Sequence, residues 1–259
     1  MAMFVLEKVR KLNWLLQEST SGSLSFYQLC GTLSDLMDTN VYIADSQGRM
    51  LGIHNKIRSE DAANIDSESA EINFPGEYNT ELLKISTTQV NLTSDEAGKF
   101  FKNGSDSDSA LHTIMPIFGG GERLGTLVYT RSSPEFNDED LVIGEYGSAI
   151  VCLELKRREA VEKAEETRKR QVVQMAIGTL SYSETEAMQR IFEELKGREG
   201  LLIASKVADR SGITRSVIVN ALRKLESAAV IESRSLGMKG THIKILNDKF
   251  LEELQKISI

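Results

Sequence analysis

The stretch from Ala204 to Arg223, ASKVADRSGITRSVIVNALR, constrains this chain more than any other part of it. It reads as two short helices joined at a tight turn. Ala208 lets the helices pack closely, and Gly212, four positions on, tolerates the positive φ that such a turn demands. Val207, Ile213, Ile218 and Ala221 fall where the two helices need a shared core. Thr214 is placed to cap the second helix by accepting a backbone N–H. The outward face carries Arg215, Ser216, Asn220 and Arg223, donor-rich side chains of the kind that read base edges and phosphates in a major groove. A plain helical hairpin with a solvated polar face is the alternative. The agreement of so many positions at once favours a helix-turn-helix.

The residues that follow extend this reading. IESRSL, GMKG and THIKIL predict strand, turn and strand, with apolar and polar residues alternating across the turn. A β-hairpin directly after a recognition helix makes a wing, and Arg234 and Lys239 stand where a wing can reach phosphate or minor groove. Upstream, Ser183-Glu-Thr-Glu186 reads as a capping box opening the helix EAMQRIFEEL. Charge agrees when taken by segment. Between Gly200 and Leu246 eight basic residues oppose three acidic ones, a local +5; the whole chain is −7, so the remainder carries −12. A basic module on an acidic body suits reversible, salt-sensitive binding to double-stranded DNA and excludes a histone-like coat.

At 259 residues and 41% hydrophobic composition, two domains with real cores are expected. No apolar run approaches a membrane span, and MAMFVLEKVRKLNWLLQ reads as an amphipathic helix rather than a signal peptide. Cys30 and Cys152 are far apart in apolar contexts, as expected of free thiols in a reducing cytoplasm. His54, His112 and His242 have no ligand-like spacing with either cysteine, so no metal site is expected.

Leu6, Val9, Leu12, Leu15 and Leu16 recur at helical spacing, as do Leu29, Leu33 and Leu36-Met37. NVYIADS and Met50–Ile53 flank Gln47-Gly48-Arg49 as a hairpin. Residues 54–111 are polar and without clear period, with Phe74-Pro75 and Phe100-Phe101 as apolar islands. Alternation returns at Thr113-IMPIF and LGTLVYTR, two strands across a glycine turn. Helices, a sheet and a long insertion before the closing strands predict an α+β sensor module of the GAF or PAS kind. Asn137 then caps a helix whose first turn is acidic, running through Leu141, Tyr146, Ile150 and Leu153, past KRREAVEKAEETRKR, to Val172, Met175, Ile177 and Leu180. From Asp138 to Leu180 it would span about 65 Å. Its middle is too polar for a core and reads as an exposed connector; its apolar ends are candidates for pairing with a second subunit. The expected division is residues 1–136 sensor, 137–180 linker helix and 181–259 winged helix-turn-helix.

Two tempting sites dissolve on inspection. Gly119-Gly-Gly-Glu-Arg123 lacks the lysine and the following helix of a phosphate cradle and reads as a hairpin turn. Asp138, Glu139 and Asp140 are consecutive helical positions that point different ways, as caps rather than metal ligands. No nucleophile has a base and an orienting partner beside it, so no enzyme is expected.

ITRSVIVNALRKLESA followed by VIESRSLGMKGT closely resembles the DNA-binding end of the CodY family, and MPIFGGGERLGTL, FNDEDL and VVQMAIGTLSYSE are similar to the same family further upstream. The resemblance covers essentially the whole chain. It implies a cytoplasmic homodimer, or a higher oligomer, with an N-terminal GAF domain that senses isoleucine or valine, and GTP, as exchangeable effectors rather than tightly bound cofactors. It also implies a winged helix-turn-helix that binds AT-rich palindromes and mostly represses. It assigns DNA contacts to Thr214, Arg215, Ser216, Asn220, Arg223, Arg234 and Lys239, with Ala204 and Ser205 from the first helix of the pair. It assigns the effector wall to Phe74, Pro75, Tyr78 and Phe101. Three departures qualify the sensor. Where relatives clamp the ligand carboxylate with an arginine, this chain has Ala63-Asn64, with Asn64 a substitute donor and Arg58 out of register. The second aromatic-proline pair is Phe101-Lys102, and an arginine pair in the GTP stretch is Ser46-Gln47, leaving Arg49. A second function stays open beside the regulator: a nucleotide or small-molecule sensor acting mainly through protein–protein contacts.

Overall fold

Alternation and helical period, read residue by residue, resolve into two compact units in a computed structural model: Met1–Glu159 and Ala160–Ile259. The structure describes residues 2–18, 24–56, 76–97, 110–195, 197–203, 208 and 212–257.

The first unit is built on an antiparallel sheet ordered β2-β1-β5-β4-β3. Its strands are β1 (Asn40–Asp45), β2 (Met50–His54), β3 (Gln89–Thr93), β4 (Leu111–Gly119) and β5 (Glu122–Arg131). Alternation assigns each strand two faces. One face presents Val41, Ile43, Met115, Ile117, Leu127 and Tyr129 to α1 (Ala2–Glu18), α2 (Phe26–Met37) and the first part of α5 (Asp138–Gly178). Leu12, Leu29, Leu33, Ile143 and Val151 complete this core without exposure, each contributing about 1.5–3 kcal/mol by burial. Leu6 departs from the expected stripe: it is exposed, and Val5 packs on the core in its place. The other face holds a smaller cluster, Leu82, Ile114 and Val128, under α3 (Gly76–Leu83).

The β1–β2 hairpin forms where expected, with Gly48 at φ +82. The glycine run also closes a hairpin, Gly120 and Gly121 adopting φ +64 and +84 between β4 and β5. Residues 54–111 are richer than their pattern suggested, since α3, β3 and α4 (Ser94–Ala97) lie within them. These elements are short and held by tertiary partners, so no period marks them.

Helix α5 runs 41 residues, about 60 Å, and its stretch Glu159–Arg168 is exposed throughout, as a connector requires. Its apolar ends serve their own units first: Ile143, Ile150 and Val151 in the first core, Val173, Ala176 and Ile177 in the second. Leu153 and Met175 stay exposed. Asn137 caps as expected, its Oδ1 accepting from the N–H groups of Glu139 and Asp140.

The second unit gathers α6 (Tyr182–Leu195), β6 (Glu199–Leu202), α7 (Arg215–Ser227), β7 (Ile231–Ser235), a 3-10 turn (Gly237–Lys239), β8 (Thr241–Ile245) and α8 (Phe250–Gln255). The sheet order is β6-β8-β7. β6 and α8 were not marked by the sequence pattern. The capping box of α6 lies two residues earlier than read. Ser181 N–H donates to Glu184 Oε2 at 2.7 Å and Glu184 N–H to Ser181 Oγ at 3.3 Å. Ser181-Tyr-Ser-Glu184 offers the same spacing as the expected box, and there Glu184 gains a cation besides.

Among the described residues no helix is long and apolar enough to cross a membrane, and no group of three His, Cys, Asp or Glu side chains could hold a metal ion. Cys30 and Cys152 are free thiols, and burial pushes the Cys30 thiol well up from its ordinary range.

Candidate nucleic-acid interface and effector face

Helix α7 is amphipathic in the strict sense. Ile218, Ala221, Leu222 and Leu225 are buried at i, i+3, i+4 and i+7, while Arg215, Ser216, Asn220 and Arg223 are exposed. Ser216, Asn220, Arg223 and Ser227 form one stripe along the exposed face. Thr214 stands at the N-cap with extended backbone, φ −73 and ψ 148, and its carbonyl accepts from Val217 at 3.1 Å. Its hydroxyl does not cap the helix, contrary to expectation; it meets Ser216 Oγ at 3.0 Å. That arrangement leaves α7 without a side-chain cap from Thr214 at the positive end of its dipole.

Gly212 adopts φ +69 and its N–H donates to Ala208 at 3.0 Å, so the small residue and the glycine make the turn as expected. Ala208 and Ile213 pack on the core of the unit. Val207, Ala204 and Ser205 lie outside the described residues.

The wing is closed by its own backbone. Leu236 N–H donates to the Gly240 carbonyl at 2.7 Å around the 3-10 turn. Gly240 adopts φ +110, and a Cβ there would stand 2.4 Å from the Leu202 carbonyl, so only glycine fits between the turn and β6. Arg234 and Lys239 are exposed on the wing. Across the hairpin Arg234 pairs in register with His242, whose Nε2 lies 3.2 Å from Glu199 Oε1.

On the first unit, Tyr78 is the one residue of the expected effector wall among the described residues; Asn64, Phe74, Pro75 and Phe101 lie outside them. Tyr78 is largely buried on α3, one turn before Leu82. The sheet face beneath carries His112, Thr126 and Thr130, buried and polar, with Thr130 Oγ1 at 3.2 Å from His112 Nδ1. Two polar ties fix α3. Asn79 Nδ2 donates to the Ser46 carbonyl at 3.0 Å, joining α3 to the β1–β2 turn. Arg123 donates to the Leu82 carbonyl in the last turn of α3 and the Ile85 carbonyl just beyond it, to Gly125 O at 2.6 Å and to Thr126 Oγ1 at 2.9 Å. Burial lowers the Arg123 pKa to about 10. Sequence reading had absorbed Arg123 into the glycine turn; the signal it lacked is the set of distant carbonyls. Asp45 organises the turn itself, accepting from the Gln47 and Arg49 N–H groups at 2.8 and 2.9 Å and from Arg49 Nε at 2.7 Å.

Comparison with known proteins finds relatives over nearly the whole chain. Residues 4–179 match the model of the CodY GAF-like domain, and residues 198–258 that of the CodY helix-turn-helix domain. The chain is 53% identical over 261 residues to the global transcriptional regulator CodY of Lysinibacillus sphaericus (strain C3-41), covering 99% of this chain and 100% of that protein. It is 52% identical over 259 residues to the global transcriptional regulator CodY of Bacillus cereus (strain B4264), covering 98% and 99%. Among solved structures, the cofactor binding GAF domain of the nutrient sensor CodY from Clostridium difficile aligns with 40% identity and a TM-score of 0.46, over 58% of this chain and 97% of that one.

Proposed function

The chain belongs to the CodY family, and on that premise we propose that it is a homodimeric, effector-responsive global regulator of transcription, mostly a repressor, acting in the cytoplasm. Residues 1–136 sense branched-chain amino acids, residues 137–180 link, and residues 181–259 bind AT-rich palindromic DNA. The observation that carries the DNA reading is the exposed polar stripe of α7, backed by a buried apolar face and flanked by a basic wing. The stripe matches what major-groove readers present, and the wing supplies cations for the backbone. An effector acts in this scheme only through different affinities for DNA-competent and DNA-incompetent arrangements.

Two exposed side chains of α7 are expected to discriminate bases. Arg215→Ala and Asn220→Ala should each weaken specific binding by about 1–3 kcal/mol and relax sequence preference at one position. Lys239→Ala should weaken binding to all sequences alike and flatten the dependence of log K on log salt by about one ion. Anisotropy of a labelled duplex across a salt series checks both. Three variants that bind as the wild type does would remove the assignment of the reading face.

The sensor carries a second reading. Ala63-Asn64 replaces the arginine that relatives place there, and Arg49 is engaged by Asp45. Both favour retained DNA binding with an altered effector. Titrating an AT-rich palindromic duplex with and without millimolar isoleucine separates the two. Tighter binding with isoleucine means that another donor, such as Asn64, holds the carboxylate. Tight binding unchanged by isoleucine means that the amino-acid response has been lost or reassigned. Weak, salt-insensitive binding would instead favour a sensor whose output is protein–protein contact.

A further inference from the structure

Lys224 differs from the other basic residues of α7. Arg215 and Arg223 make no ion pair among the described residues, whereas Lys224 Nζ donates to Glu184 Oε2 at 2.7 Å and to the Thr179 carbonyl at 2.9 Å. Thr179 directly follows α5, at the negative end of the helix dipole. Glu184 is 6% exposed, and the same Oε2 accepts from Ser181 N–H at the start of α6. Burial opposes its ionisation, but the bonds from Lys224 and Ser181 outweigh this and hold the carboxyl below its ordinary range. One ammonium therefore joins the end of α5, the first turn of α6 and the last turn of α7.

Counted by charge alone, Lys224 belongs to the DNA-facing set. Geometry argues otherwise. To reach a phosphate it would have to leave Glu184 charged, buried and without its cation. A carboxylate at 2.7 Å also cancels most of the field that Lys224 would offer DNA.

We propose that Lys224 is a positioning residue for DNA recognition: with Glu184 it ties the recognition helix α7 to the C-terminal end of the linker helix α5. This rests on the reading of α7 as the helix that enters the groove. The tether sets how the α7 stripe stands relative to the C-terminal end of α5.

The test compares full-length wild type, Lys224→Met, Glu184→Gln and the double variant, with Arg215→Ala as a base-contact control. Binding to the AT-rich palindromic duplex is measured by anisotropy over a salt series. Glutamine at 184 still accepts from Ser181 N–H, so that variant keeps the α6 cap and carries the test if Lys224→Met folds poorly. Each single variant is expected to bind roughly tenfold more weakly, with the double no weaker than the weaker single. Their salt slopes should equal that of the wild type. Lys224→Met with a slope reduced by about one ion, beside Glu184→Gln binding normally, would make Lys224 a phosphate contact and overturn the tether. Singles that both bind like wild type would overturn it too. Failure of the wild type and the Arg215→Ala control alike to bind the duplex would bring down the DNA reading itself, and the role of Lys224 with it.

Discussion

Alanine in place of Arg131 is expected to lower the stability of the first unit by about 3–5 kcal/mol. Arg131 is 4% exposed, and each of its three guanidinium nitrogens donates a hydrogen bond. Its Nε donates to Pro134 O and one terminal nitrogen to Met37 O, both at 2.6 Å. The other terminal nitrogen donates to Glu135 O at 2.9 Å and pairs with Asp140 at 2.5 Å. The guanidinium also lies 4.1 Å from the centroid of Phe136. One side chain thus joins the end of α2, the end of β5 and the N-terminus of α5. Truncation would strand the buried Asp140 carboxylate and the buried Met37 carbonyl together, which is why the loss should far exceed that of a surface ion pair. The single tryptophan, Trp14, lies on α1 in this unit, so its fluorescence reports the transition. With a urea dependence of about 1–3 kcal/mol per molar, the midpoint should fall by at least about 1 M. A midpoint within a few tenths of a molar of wild type would show that the network contributes little.

The other large effect is expected in the second unit, from Leu225→Ala. Leu225 is fully buried on the inner face of α7, in the cluster with Ile218, Val230, Ile231, Ile243 and Phe250. Removing it opens a cavity against both α6 and the wing sheet, at a cost of about 2–5 kcal/mol. Amides of α7 that open with the whole unit should then exchange about 30- to several-thousand-fold faster, each 1.4 kcal/mol being a factor of ten. Trp14 fluorescence should not change, because α1 belongs to the other unit. DNA affinity should fall further than with Arg215→Ala, since the whole stripe loses its support rather than one contact. Unchanged exchange in α7 would mean that the cluster closes around the missing side chain.

Legibility in the sequence followed the range of the interactions concerned. The turn before α7, the amphipathic faces of α7, the wing and the long α5 were readable because glycine conformation, alternation and helical period act within a few residues. The shift of the α6 cap to Ser181 and Glu184 was harder, because two overlapping boxes satisfy the same spacing and only Lys224 decides between them. Helix α3 and strands β3 and β6 were missed because none is long enough to carry a period. Each is held from outside, α3 by Arg123 and Asn79, β3 by β4 and β6 by β8.

By itself, then, the sequence determined the long α5, the turn and amphipathic α7 that follows it, the wing hairpin, and that an exposed helix connects two cores. Tertiary structure alone decided which distant polar groups the structural charges meet. Arg131 reaches a carbonyl 94 residues away, Arg123 reaches Leu82 across 41, and Lys224 finds Glu184 across 40. A buried charge must be matched by whichever polar group the fold brings beside it, and that neighbour leaves no trace in local spacing.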